Sequence, residues 1–111
     1  MLDLRRLRTF CVVAATHNFT RAAAELGYSQ SNVTTQIKLL EQELGATLLE
    51  RRRFSKNVVL TEFGRRSLDY VRRLLTIADE MNIAAQQHRG SAELRQETGM
   101  EKSPASRWPK G

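Results

Sequence analysis

The sequence predicts a mainly α-helical chain carrying one small β-ribbon. Apolar residues recur at steps of three and four through residues 3–16, 19–44 and 61–87, the period of helices that bury one face. Between them, Leu48-Leu49 and Val58-Val59-Leu60 are short apolar runs flanking a polar tip, which fits a two-stranded ribbon better than a helix. Gly27 and Gly45 stand where helical patterns stop, and glycine enters the left-handed backbone of a helix end without steric cost.

Size and charge bound the rest. The 111 residues read as one domain with a tail, and the net charge of +6 points to a polyanionic partner, either nucleic acid or an anionic membrane surface. The single cysteine, Cys11, has no partner for an internal disulfide and lies in an apolar helical stripe, so it reads as a core residue. Arginines interrupt the N-terminal apolar residues, unlike a signal peptide, and no apolar run has the length of a membrane span. The chain reads as cytosolic. Enzyme chemistry finds no footing: there are no paired carboxylates in an apolar setting, no nucleophile elbow, no phosphate-binding glycine loop and no metal cluster. No metal ion or other cofactor is expected, and His17 has no second ligand at suitable spacing. RNA binding lacks an aromatic stacking platform.

The first helix covers residues 3–16, with Leu4, Leu7, Phe10, Cys11 and Ala14 on its stripe and Arg5, Arg6 and Arg8 mostly off it. Those arginines read as a solvated basic face. His17-Asn18 breaks the pattern. Thr20 is a candidate N-cap for a helix from Arg21 to Leu26, with Phe19, Ala22, Ala23 and Leu26 facing inward. Gly27 ends it, Tyr28 anchors the turn, and Ser29 caps the next helix. That helix carries Val33, Ile37, Leu40 and Leu44 on one stripe and stops at Gly45. Small Ala23, turning Gly27 and inward Val33 give the spacing of a helix-turn-helix over 19–38, whose second helix lies in the DNA major groove.

The outer face of that second helix shows Gln30, Ser31, Thr34, Thr35 and Lys38, with Ser29 and Asn32 completing the candidate contacts in its first turn. Uncharged hydrogen-bonding side chains of modest length suit base edges, where Gln pairs with adenine and Ser or Thr with several bases. Further along, Glu41 and Glu43 read as ordinary solvent-facing residues. The ribbon over 48–61 carries Arg51, Arg52, Arg53 and Lys56 at its tip. Directly after a candidate recognition helix, this cluster reads as a wing that grips phosphate or probes the minor groove.

From Thr61 to about Gln87 the pattern is helical and long. Leu68, Val71, Leu75 and Ala78 form one seam, and Leu74, Ile77, Met81 and Ala84 an adjacent one. Two neighbouring seams are wider than one small core needs, so one is expected to pack on its own domain and the other on a partner's helix. The dimerisation set is taken as Leu68, Val71, Leu75, Ala78 and Asn82. Asn82, where the first seam would continue, either fixes register between paired helices or is a surface residue. Residues 90–111 lack sustained apolar periodicity and hold both prolines, and read as a disordered tail.

Several segments together resemble the LysR-type transcriptional regulators: LRRLRTF near the start, NFTRAAAELGYSQSNVTTQIKLLEQELGATLLER, and VVLTEFGRR after the ribbon. Residues 1–89 are similar to that family's N-terminal winged helix-turn-helix domain (1–61) and linker helix (62–89). The resemblance implies a regulator that binds two-fold duplex DNA sites as a dimer or tetramer, its linker helices pairing antiparallel. It also implies DNA contacts at the positions of Gln30, Ser31, Thr34 and Thr35, and at the wing arginine matching Arg52 or Arg53. Many members have proline where this chain has Ser31 and arginine where it has Thr35, so one strong base or phosphate contact is not carried over. Family members continue into an α/β effector-binding domain. Here Gly90 leads into polar residues, so no small-molecule coinducer site is expected in this chain. A second functional reading is an interaction protein whose long helix pairs with a full-length relative and withdraws it into mixed dimers.

Overall fold

A computed structural model describes residues 2–53, 55 and 57–98, the stretch 92–98 by its backbone alone. In chain order the elements are α1 (Leu4–Thr16), α2 (Phe19–Leu26), α3 (Gln30–Leu44), β1 (Leu49–Arg51), β2 (Val58–Leu60) and α4 (Glu62–Thr98). The chain divides into two compact units, Met1–Ile77 and Ala78–Gly111.

The core of the first unit comes from one face of each helix and the base of the ribbon. Phe10 and Val13 of α1, Ala22 of α2, Val33 and Leu40 of α3, and Leu48 before β1 are wholly out of contact with water. Ala23 is nearly as buried. At such positions a larger side chain would force α1, α2 and α3 apart, at a cost of about 1–3 kcal/mol for overpacking. On α1 the buried stripe is Leu7, Phe10, Val13 and Ala14, while Leu4 is 46% exposed and Cys11 half-buried. Leu4 is the first residue of α1. Leu44 likewise emerges at 36% exposure at the far end of α3, so both ends of the expected stripes reach past the core.

Capping residues set the helix ends. Asp3 accepts the Arg5 N–H at the start of α1. Asn18, not Thr20, caps α2: its Oδ1 accepts the Arg21 N–H at 3.0 Å, and Phe19 is already helical. The reason is tertiary. Asn18 is held extended by a β-bridge to Asn57 beside the ribbon, so the helix starts immediately after it. Gly27 and Gly45 adopt φ of 76° and 71° as helix C-caps, the conformation that glycine enters without a Cβ clash. His17 ends α1 in the same left-handed region with φ 59°. Its carbonyl accepts the Val58 N–H at 2.9 Å, which ties the α1–α2 turn to the ribbon.

The strands β1 and β2 pair antiparallel, with Leu49 opposite Leu60 and Arg51 opposite Val58. Thr61 links them to α4. Its backbone N–H donates to the Leu48 carbonyl, its hydroxyl donates to the Thr47 carbonyl at 2.7 Å, and the same oxygen accepts the Gly64 N–H. Gly64 packs where a Cβ would strike the Leu48 carbonyl.

Two expectations about the long helix are corrected. Residues 91–98 continue α4, although the sequence read them as disordered tail. Ala, Glu, Leu, Arg and Gln are strong helix formers with or without an apolar period. The remainder of the expected tail, residues 99–111, lies outside the described residues. Within the first unit, Leu68 and Val71 are buried in its core and Leu75 packs against it. Leu68 and Val71 are therefore spent inside the chain, while Leu75 keeps part of its surface in water. The exposed apolar residues of α4 in that unit are Tyr70, Leu74 and Ile77, at 61%, 42% and 61%. In the second unit Ala78 is half-buried and Asn82, Met81 and Ala84 are exposed.

Candidate nucleic-acid interface

The N-terminal turns of α3 gather most of the candidate contacts. Ser29 Oγ accepts the Asn32 N–H at 3.1 Å and lies 3.2 Å from the Ser31 hydroxyl, so it caps the helix and fixes the first turn. Gln30 is exposed, and its Oε1 accepts a hydrogen bond from the Thr20 hydroxyl at 3.2 Å. Thr20 thus orients Gln30 across the helix-turn-helix instead of capping α2. Ser31, Asn32, Thr35 and Lys38 are exposed and Thr34 half-buried. Asn32 accepts from the Gln36 side chain at 2.8 Å. The uncharged face predicted for this helix is therefore on the surface, and part of it is already hydrogen-bonded in place.

The ribbon supplies the cations. Arg52 and Arg53 are exposed at the end of β1, and the turn is closed by Arg52 N–H to the Asn57 carbonyl and Ser55 N–H to the Arg52 carbonyl, at 3.1 and 3.3 Å. With His17, Ser55 and Asn57 they line a shallow groove between the ribbon and the α1–α2 turn. Lys56 lies outside the described residues. Arg51 is not at the tip as the sequence reading had it. It belongs to β1, with its guanidinium 4.9 Å from the centre of the Phe19 ring. An arginine over an aromatic face is a cation–π contact, and it joins ribbon to α2.

Between α3 and the ribbon a cavity of about 90 Å³ is lined by Thr34, Ile37, Lys38, Glu41, Phe19 and Arg51. Glu41 has a role the sequence did not reveal. Its Oε2 accepts the backbone N–H groups of Leu48 and Leu49 at 2.7 and 3.3 Å, so a carboxylate of α3 holds the start of the ribbon. Glu43, also read as a solvent-facing residue, pairs with Arg6 of α1 at 3.3 Å. Both links join positions distant in sequence, so no local pattern announces them. Thr9 is another residue missed: it is buried and donates to Gln36 Oε1 at 2.6 Å.

Cys11 sits half-buried against the core, and burial pushes its thiol above the ordinary range against the opposing effect of the Arg72 and Arg8 charges. A thiol so held is less reactive than a free one. Among the described residues no group of histidines, cysteines and carboxylates could hold a metal ion. No helix among them is long and apolar enough to cross a membrane.

A short helix pair turning at a left-handed glycine, an exposed second helix and an arginine-bearing ribbon define the winged helix-turn-helix class of DNA-binding domains. The family described as "Bacterial regulatory helix-turn-helix protein, lysR family" matches residues 4–65, and the chain belongs to it. Among its relatives are the RuBisCO operon transcriptional regulator of Allochromatium vinosum, 42% identical over 89 residues covering 80% of this chain. Another is the uncharacterised regulator YnfL of Escherichia coli, 42% identical over 96 residues covering 85% of it. The chain spans only 29% and 32% of the lengths of these two relatives. The fold superposes on the CbnR DNA-binding domain in complex with DNA with a TM-score of 0.74 and 33% identity, covering 79% of this chain and 99% of that one. It also matches the BenM DNA-binding domain bound to benA site 1 DNA, with a TM-score of 0.73 and 36% identity over 79% and 97% of the two chains. The chain thus carries the DNA-binding domain of a LysR-type regulator.

Proposed function

We propose that the chain regulates transcription by binding two-fold duplex DNA sites as a dimer, with α3 in the major groove and the ribbon on the backbone beside it. The observation that carries this reading is the surface of α3: its first turns expose uncharged hydrogen-bonding groups, while exposed cations stand further along the helix at Lys38 and on the ribbon at Arg52 and Arg53. That division matches the division of labour at DNA, where base edges specify and phosphates position. Gln30 and Thr34 are the base readers, with Ser29, Ser31, Asn32 and Thr35 alongside. Lys38, Arg52 and Arg53 meet phosphates, and Lys56 joins them on its place in the sequence. Similarity to domains solved in complex with DNA supports duplex DNA as the partner. Such a partner places the chain in the bacterial cytoplasm, at the nucleoid.

The apolar residues Tyr70, Leu74 and Ile77 follow at steps of four and three along α4 and remain in water in the single chain. Covering them with a second copy recovers roughly 25 cal/mol for each Å² removed from water. The dimer seam is therefore assigned to this stripe.

The test compares the wild-type chain with Gln30→Ala on a selected and a scrambled duplex. Losing one base contact is expected to cost about 1–3 kcal/mol on the selected site and much less on the scrambled one. An unchanged ratio removes α3 from the reading role. Ile77→Asp should shift the chain toward monomer in sedimentation. A wild-type chain that sediments as a monomer at tens of micromolar removes the dimer.

A further inference from the structure

We propose that Asn32 is a specificity-determining residue that rejects cytosine, and that buried Thr9 of α1 sets its polarity through Gln36. The proposal rests on the DNA-reading role given above to α3. Thr9 Oγ1 donates to Gln36 Oε1 at 2.6 Å, and Gln36 Nε2 donates to Asn32 Oδ1 at 2.8 Å. Thr9 is wholly buried, Gln36 half-buried and Asn32 exposed. A relay of two hydrogen bonds therefore runs from the core to the third residue of the recognition helix.

The direction of the relay follows from counting hydrogens. The Thr9 hydroxyl has one hydrogen, and Gln36 Oε1 is the acceptor beside it. If the Gln36 amide were turned over, its Nε2 would donate to Thr9, and the hydroxyl hydrogen would have to leave Gln36 for a carbonyl one turn back on α1, as the Thr16 hydroxyl does with Val12. As the bonds stand, the Thr9 hydroxyl and both ends of the Gln36 amide are paired along the relay. An amide orientation is decided by such satisfaction of donors and acceptors. With Gln36 fixed, Asn32 turns Oδ1 toward the relay and leaves Nδ2 to carry its donors outward.

In the major groove, guanine offers two acceptors, thymine one, and adenine an acceptor beside a donor. Cytosine offers only the hydrogens of its amino group. An outward Nδ2 thus accepts guanine, thymine or adenine and repels cytosine. A free asparagine has no such bias, because its amide turns over to present oxygen. The core of the domain, acting through Thr9, turns an ambidextrous side chain into a donor.

The experiment is selection of bound duplexes from a library with a randomised core, using the full chain as wild type, Asn32→Asp, Thr9→Val and Gln36→Met. The wild type is expected to yield a motif with one position depleted of cytosine by roughly fivefold or more, the lower end of a base-edge contact. Asn32→Asp keeps an oxygen for Gln36 and replaces the outward donor by an acceptor, so cytosine should become favoured at that position. Thr9→Val is close in shape, and Gln36→Met breaks the relay from its half-exposed middle. Each should relax the depletion while leaving the rest of the motif in place. Either variant serves if thermal unfolding finds the other misfolded. A wild-type motif that all variants reproduce at every position overturns the proposal while leaving the DNA-reading role of α3 in place. Selection without any motif overturns the DNA-reading role, and the proposal with it.

Discussion

Removing the Glu41 carboxylate should loosen the ribbon from the helix that precedes it. In Glu41→Ala the Leu48 N–H loses an acceptor at 2.7 Å and the Leu49 N–H one at 3.3 Å. Leu48 is wholly buried, so water does not readily replace the stronger bond. A hydrogen bond to a charged acceptor contributes about 1.5–3 kcal/mol. The longer bond lies at the weak end of useful geometry and adds roughly 1 kcal/mol or less. Alanine returns a few tenths of a kcal/mol as a better helix former. The net expectation is a loss of about 2–3 kcal/mol, against a total stability of roughly 5–15 kcal/mol for a domain of this kind. Glu41→Gln keeps a neutral acceptor in place and should cost about half as much. Equilibrium urea unfolding reads both values, and at a slope near 1.5 kcal/mol/M the alanine variant should move the midpoint by roughly 1.5–2 M. DNA affinity should fall as well, since the same bonds position the strand that leads to Arg52 and Arg53. An alanine variant within about 0.5 kcal/mol of wild type would refute the reasoning, because surface substitutions away from such features stay in that range.

Other consequences are more direct. Gly64→Ala puts a methyl group into the Leu48 carbonyl and, despite alanine's better helix propensity, should cost about 2 kcal/mol, seen as a Tm lower by roughly 10 °C. If about six phosphates are neutralised per dimer, log K for duplex binding should fall with log salt at a slope near −5, and Arg53→Ala should make it shallower by about one unit. Should Arg53 instead enter the minor groove, its loss would weaken narrow A·T-rich sites most, and an A-tract-shifted duplex separates the two outcomes. Burial raises the Cys11 thiol, so the folded chain holds that proton to higher pH than the unfolded one. Its contribution to stability is therefore full below the unfolded thiol's range and is lost as pH rises through the folded one. Alkylation by iodoacetamide near neutral pH should accordingly be slower in the native chain than in urea.

Local patterns in the sequence determined the helices, their order and the ends at Gly27 and Gly45, because periodicity and left-handed caps are properties of neighbouring residues. The exposed polar face of α3 was legible for the same reason: Val33, Ile37 and Leu40 face the core, which leaves Gln30, Ser31, Thr34 and Thr35 on other sides of the same helix. The extent of α4 past Gly90 was missed because helix propensity, unlike apolar periodicity, leaves no repeating mark in the sequence. Contacts across the chain were decided only by the tertiary structure. Asn18 rather than Thr20 caps α2 because Asn57, thirty-nine positions on, holds it extended. Two apolar seams on α4 were visible, but Leu68 and Val71 were distinguished from Leu74 and Ile77 only when one seam joined the core. Arg51 against Phe19, Glu41 against Leu48 and Thr9 against Gln36 are likewise invisible to any short window of sequence. Each joins polar groups whose attraction acts over a few ångströms, and only the packing of the apolar faces brings them that close.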